Sequence, residues 1–131
     1  MCVEVYKAVI KMNPKTKKNS QRIVMNRKTG RPFLLQSEEY TQYEKDCRYF
    51  LKIPDKPIDY PINIKYTFYR KNNIRCDLSN LIACCDDVLV KYGILVDDNF
   101  HIIVGHDGSR VKIDKENPRT EIIIYKEGED T

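Results

Sequence analysis

The distribution of apolar residues along the chain predicts two helices and a set of strands. The most regular pattern lies in residues 75–100, where apolar side chains recur at steps of three and four, as on one face of an amphipathic helix. These positions are Leu78, Leu81, Ile82, Cys85, Val88, Leu89 and Tyr92. Asp77 stands at the expected N-cap and Gly93 at the expected left-handed C-terminal position. The pattern therefore predicts a helix over residues 78–92.

A second helix is predicted to begin at Ser37 and to end before Pro54. Glu38 and Glu39 fall in its first turn, where the helix dipole favours acidic side chains. Prolines at positions 54 and 57 prevent the helix from continuing. Its predicted buried face consists of Tyr40, Tyr43, Cys47, Phe50 and Leu51.

Four segments have the composition or alternation of strands: residues 2–10, 61–70, 100–104 and 120–125. In the second of these, Ile62, Ile64, Tyr66 and Phe68 all point to one side, as in a half-buried strand. Residues 13–22 read as a loop, and residues 23–34 as a small hairpin. The order of elements predicts an α+β fold, with a mixed sheet of about four strands covered by two helices.

Composition narrows the class of protein. The chain has 131 residues, of which 41% are hydrophobic and 32% charged, which is typical of one globular domain spanning residues 1–131. No apolar run is long enough to cross a membrane and the N-terminus lacks a secretory segment, so a cytoplasmic protein is expected. The five cysteines lack C-x-x-C spacing and are expected to be reduced thiols rather than zinc ligands.

Charge is distributed unevenly along the chain. Residues 1–35 contain nine basic residues and one acidic residue, a net of +8, whereas the rest contains 14 basic and 18 acidic residues, a net of −4. The basic residues concentrate in an N-terminal loop within residues 12–36, and the C-terminal tail, residues 127–131, is acidic. A basic arm on an acidic body predicts a polyanionic partner.

Carboxylates occur at both edges of the predicted central helix, as Asp77 and as the pair Asp97 and Asp98. They are either caps and turn residues or a site for Mg²⁺, which prefers oxygen ligands and promotes phosphodiester cleavage. The helix spans about 22 Å, and residues 93–98 span at most about 20 Å. Asp98 can therefore approach Asp77 in one chain only if the return from Gly93 is nearly straight. Asp87 lies about 15 Å from Asp77 along the helix, which predicts a supporting role.

The run from Asp77 to Asp98, beginning D-L-S-N-L and ending in D-D, resembles the core of the RusA-type Holliday junction resolvases. The loop P-K-T-K-K-N-S and residues 118–122 extend this resemblance over most of the chain. Two positions depart from the family pattern, because Ser79 and Ala83 stand where the family has an Asp and a Lys. Nearby cations could substitute in space for that Lys. The matching positions are Asp77, Leu78, Asn80, Leu81, Asp87, Gly93, Asp97 and Asp98, and the candidate cations are Lys71, Arg75, Arg110 and Lys112.

The resemblance implies a homodimeric, Mg²⁺-dependent endodeoxyribonuclease, with Mn²⁺ as a possible substitute ion, that cleaves four-way junctions in recombination and repair. It implies a bacterial or phage origin and no small-molecule cofactor. Asp77, Asp97 and Asp98 would bind the metal and serve catalysis with help from Ser79, while Asn80 and Asp87 would support the site. The DNA-binding residues would be Lys15, Lys17, Lys18, Arg22, Arg70, Lys71, Arg75, Arg110 and Lys112.

Two other functions remain open from the sequence. Ser79 and Ala83 favour a module of the same fold that binds branched DNA without cleaving it. The third possibility is a protein-interaction domain in which the basic loop is incidental. Cleavage that depends on Mg²⁺, binding without cleavage, and absence of DNA affinity would distinguish the three.

Overall fold

The structure, a computed structural model, describes residues 3–17, 21–36 and 38–128. Two residues named above lie outside these ranges: Lys18 of the basic loop, and Ser37, at which the first helix was predicted to begin. The strands are β1 (Val3–Ile10), β2 (Gln21–Met25), β3 (Pro32–Gln36), β4 (Ile62–Arg70), β5 (Ile103–Gly105), β6 (Arg110–Ile113) and β7 (Arg119–Lys126). The helices are α1 (Glu38–Cys47), followed by a 3₁₀ turn (Arg48–Phe50), and α2 (Leu78–Lys91).

Five strands form one mixed sheet, and β2 and β3 form a separate two-stranded sheet. Strand β7 lies between β1 and β4 and is antiparallel to both, while β5 and β6 run parallel to β4 along its other edge. Helix α2 connects β4 to the parallel strand β5, as in a βαβ unit. The predicted α+β fold is confirmed, with β6 as a strand beyond those that the sequence predicted.

Both helices pack on the same face of the five-stranded sheet. Strand β4 contributes Ile62, Ile64, Tyr66 and Phe68 to the core, each with at most 1% of its surface exposed. The predicted inward faces of α1 and α2 are largely confirmed, although Leu78 remains 38% exposed. The other core residues from the helices and from β7 are Cys47, Leu81, Cys85, Val88, Leu89, Ile122 and Ile124.

The chain turns sharply at the end of α2. Gly93 has a φ of +78°, which confirms the predicted left-handed residue at this position. The backbone amides of Ile94 and Leu95 both donate to the carbonyl of Leu89, at 2.9 Å and 3.2 Å. Both side chains are buried in the core. The nearly straight return towards Asp77 is therefore not observed, because burial of these two aliphatic residues bends the chain around the helix end.

The described cysteines, Cys47, Cys76, Cys84 and Cys85, are free thiols. Burial raises the pKa of Cys47 to about 12 and that of Cys85 well above its ordinary value. Because metals bind the thiolate form, these two side chains are poor metal ligands. Within the described part of the chain, no helix is both long enough and apolar enough to span a bilayer.

Candidate metal and DNA-binding site

Asp77 occupies the N-cap position of α2 but does not use its side chain as a cap. Its extended backbone (φ −79°, ψ 133°) is that of an N-cap, and its carbonyl accepts from the amides of Asn80 and Leu81. Its carboxylate makes no capping bond to the helix, whose residues are all described. The Asn80 side-chain amide approaches the Asp77 Oδ2 at 3.4 Å. The exposed carboxylate of Asp77 is therefore available to a ligand.

The second group of carboxylates consists of Asp87, Asp97 and Asp98. The Asp98 amide donates to the Asp97 Oδ1 at 2.7 Å. Partial loss of water raises the pKa of Asp98 most, followed by a side-chain hydrogen bond with Asp97 and by the charge of Asp87. The negative charges of Asp87 and Asp97 both raise the pKa of Asp98, and a cation bound beside them would offset this repulsion.

The two groups of carboxylates lie apart in one chain. The charge of Asp87 acts on Asp98, and Asp87 is ten residues and about 15 Å beyond Asp77 along α2. Asp77 marks the N-terminus of the helix, whereas Asp98 follows the turn at its C-terminal end, where the amides of Ile94 and Leu95 donate to the carbonyl of Leu89. Within the described ranges, no three His, Cys, Asp or Glu side chains are grouped closely enough to hold a metal ion.

A row of exposed side chains connects the two groups along the surface of α2. Ser79, Ala83 and Asp87 are exposed and spaced by four residues, which places them on one side of the helix. Ser79 carries a neutral hydroxyl in the first turn, near Asp77, and Ala83 leaves the middle of the row without a polar group. The surface between the two groups of carboxylates is thus open and lacks the charges that an Asp and a Lys would supply.

The start of the basic loop packs against both helices. Pro14 and Thr16 are buried. The Lys17 amide donates to the Cys84 Sγ at 3.2 Å, and the Lys17 ammonium lies 3.3 Å from the Asp87 carboxylate. Lys15 forms an ion pair with Glu39 on α1. This part of the loop is therefore held in place, and it brings a cation next to the second group of carboxylates.

The remaining predicted DNA-binding residues divide between two surfaces. Arg70 donates to the carbonyl of Ile74, in the loop that leads to Asp77, and exposed Lys71 and Arg75 lie in the same loop. Arg110 and Lys112 on β6 pair with Thr67 and Tyr69 of β4, whose side chains point away from the core. Because paired residues share a sheet face, Arg110 and Lys112 lie on the opposite face from α2 and do not substitute for a cation at Ala83. The side chain of Arg22 lies outside the described part.

A buried polar network that the sequence did not predict fixes α2 on β4. The Tyr66 hydroxyl donates to the Asp86 Oδ1 at 2.6 Å, and the His106 Nε2 lies 2.9 Å from the Asp86 Oδ2. Burial, ahead of any other cause, raises the pKa of Tyr66. Asp86 follows Ile82 by four residues and precedes Leu89 by three, so it lies on the apolar face of α2. An acidic residue at such a position was the sequence signal that could have revealed the network. The network sets the rotation of the helix that carries Asp77 and Asp87.

Replacing Asp86 with Ala should lower the free energy of unfolding by about 2–3 kcal/mol, because the buried Tyr66 hydroxyl loses its acceptor. The measurement is urea unfolding followed by circular dichroism. The matched control is the adjacent exposed Asp87, whose replacement by Ala removes a surface ion pair and should cost less than about 1 kcal/mol. Equal losses for the two variants would contradict a stabilising role for the network.

Residues 6–125 match the family model described as endodeoxyribonuclease RusA. The search of curated proteins gives no match. The matched region covers most of the 131 residues and includes both groups of carboxylates, the basic loop and the whole of α2. The chain therefore belongs to the RusA family of endodeoxyribonucleases.

Proposed function

We propose that this protein is a homodimeric, Mg²⁺-dependent endonuclease that cleaves four-way junctions and other branched DNA. It would act in recombination and repair in a bacterial or phage-infected cytoplasm. Membership of the RusA family supports endonuclease action on DNA junctions and dependence on a divalent metal. The site is assigned mainly on Asp77, which is the N-cap residue of α2 but makes no capping hydrogen bond with its carboxylate.

The separation of Asp77 and Asp98 in one chain leads to a site shared between two chains. In a two-fold dimer with antiparallel α2 helices, the N-terminal end of each helix lies beside the C-terminal end of the other. Asp77 of one protomer would then meet Asp98 of its partner, and two equivalent sites would form. Such a contact could use exposed apolar residues that are near each end of α2 in sequence. These are Ile74 and Leu78 at the N-terminal end and Val96 and Phe100 at the C-terminal end.

The residues of this shared site have distinct proposed roles. Asp77 and Asp98 would hold a Mg²⁺ or Mn²⁺ ion, with Asp97 beside them and the Ser79 hydroxyl as a neutral ligand. Asn80 would orient the Asp77 carboxylate through its amide. When bound, the ion would supply an activated water and stabilise charge on the leaving oxygen.

Asp87 and the loop cations have separate proposed roles. Asp87 would position Lys17, which it contacts, so that its ammonium faces DNA phosphates beside the ion. The phosphate-binding surface would consist of Lys15, Lys17, Lys18, Arg22, Arg70, Lys71 and Arg75, with Arg110 and Lys112 forming a second surface on the other sheet face.

Neutralising the basic loop should weaken DNA binding without changing the chemistry of cleavage. Replacing Lys15, Lys17 and Lys18 together with Gln should flatten the plot of log affinity against log salt by about 0.9 for each phosphate that the loop no longer neutralises. A matched triple variant replaces three exposed lysines outside the proposed surface, Lys45, Lys56 and Lys115. The comparison is a salt titration of binding, and the same slope for both triple variants would contradict a role for the loop.

The experiment that tests the function is incubation with a synthetic four-way junction, with and without Mg²⁺. We expect paired cuts near the branch point only when the ion is present. Binding without cleavage would support the second candidate, a junction-binding module, which is favoured by the uncharged residues Ser79 and Ala83 on the surface between the carboxylates. Absence of DNA binding would instead favour a protein-interaction domain.

A further inference from the structure

The β2–β3 hairpin is a structured arm separate from the main sheet. Its strands pair from Gln21–Gln36 to Met25–Pro32, and no other strand of the described chain joins them. At its tip the Asn26 Oδ1 accepts from the amides of Lys28 and Thr29, at 2.9 Å and 3.2 Å. Gly30 closes the turn with a φ of +70°, a conformation that favours glycine. An isolated two-stranded hairpin has marginal stability in water, so this arm would gain from a partner.

Apolar side chains are exposed on both faces of the hairpin. Ile23 and Met25 are 73% and 59% exposed, and Phe33 is 43% exposed. Phe33 pairs with Val24, so its side chain lies on the face opposite to Ile23 and Met25. A flat protein surface could cover one of these faces but not both. A partner that contacts all three of these side chains lies on both sides of the hairpin.

The hairpin is also strongly basic. Residues 21–36 contain four basic residues and no acidic residue. Three of the four, Arg27, Lys28 and Arg31, lie at the exposed tip. Among the described residues, none of these three has an ion-pair partner. These unpaired cations and exposed apolar side chains fit a polyanion that contacts both faces of the arm.

We propose that the hairpin inserts into the branch point of DNA, with Phe33 against an exposed base and the tip cations on phosphates. The proposal rests on the proposed function, since a branch point is where base stacking is already interrupted. A major groove also admits a two-stranded ribbon, but its walls are phosphates and its floor is polar base edges. Exposed base faces, in contrast, match an aromatic ring and aliphatic side chains.

The test compares binding to a four-way junction with binding to a linear duplex of the same length, in EDTA. The wild-type protein should prefer the junction. Phe33→Ala should lower affinity for the junction by about tenfold, the loss expected when one stacked base loses its aromatic partner, and should change duplex affinity by less than about twofold. Phe33→Tyr keeps a ring and should retain the preference. Tyr49→Ala, at a residue 85% exposed outside the hairpin, is the control and should match wild type.

The outcomes separate this proposal from its alternative and from the proposed function. An unchanged junction preference in Phe33→Ala overturns the proposal. The proposal is also overturned if Phe33→Ala weakens binding to both DNAs equally and sedimentation shows that the dimer is lost. In that case the hairpin contacts a second chain rather than DNA. If Phe33→Ala does not fold, Phe33→Leu and Ile23→Ser provide the same comparison. Because EDTA prevents cleavage, failure of the wild type to cut junctions in Mg²⁺ would contradict the proposed function without altering this result.

Discussion

Replacing either Asp77 or Asp98 with Asn should abolish Mg²⁺-dependent cleavage of a four-way junction. Asn keeps the shape and much of the hydrogen-bonding capacity of Asp but removes the negative charge that a hard cation requires. We expect the cleavage rate to fall by a factor of the order of 10³ or more in each variant. The double variant should be no slower than either single variant, because the two carboxylates act as one unit.

DNA binding should survive these substitutions or become tighter, because a negative charge that faces phosphate is removed. If Asp77 were merely a helix cap, its replacement by Asn would change little, since Asn caps as well as Asp. The control is Asp55→Asn, at an exposed carboxylate in the loop before β4. Junction cleavage at the wild-type rate by both single variants would eliminate the proposed site.

Helix α2 was predictable because its local signals agree with its packing. Its apolar spacing, the N-cap position at Asp77 and the left-handed Gly93 predicted residues 78–92, and the helix observed is Leu78–Lys91. The alternation around Ile62 to Phe68 likewise predicted β4 and the face that it buries. In both elements one residue pattern satisfies propensity, capping and burial together.

Other features depend on tertiary contacts that leave little trace in the sequence. All four residues of β6 are exposed, so no alternation of burial marks the strand, and its pairing with β4 defines it. Chain lengths permitted Asp98 to approach Asp77, but burial of Ile94 and Leu95 bends the chain around the helix end instead. The partners of Asp86 come from β4 and from the turn after β5, and their proximity follows from the sheet.

Mixed dimers test most directly whether two chains together complete the proposed metal site. Two differently tagged chains, one carrying Asp77→Asn and the other Asp98→Asn, are co-expressed, and the mixed dimer is purified through both tags. If each site combines Asp77 of one chain with Asp98 of its partner, one site loses both carboxylates and the other keeps both. If each site lies within one chain, both sites lose a carboxylate.

The measurement is single-strand nicking of a four-way junction in Mg²⁺. The shared site predicts that both parent homodimers are inactive and that the mixed dimer recovers about half of the wild-type nicking rate, from one intact site of two. A mixed dimer of Asp77→Asn with the double variant has no intact site, whether the sites are shared or lie within one chain. It should stay inactive, and any nicking by it would reveal contamination with wild-type protein. Failure of the first mixed dimer to recover any nicking, with wild type active, would contradict the shared site.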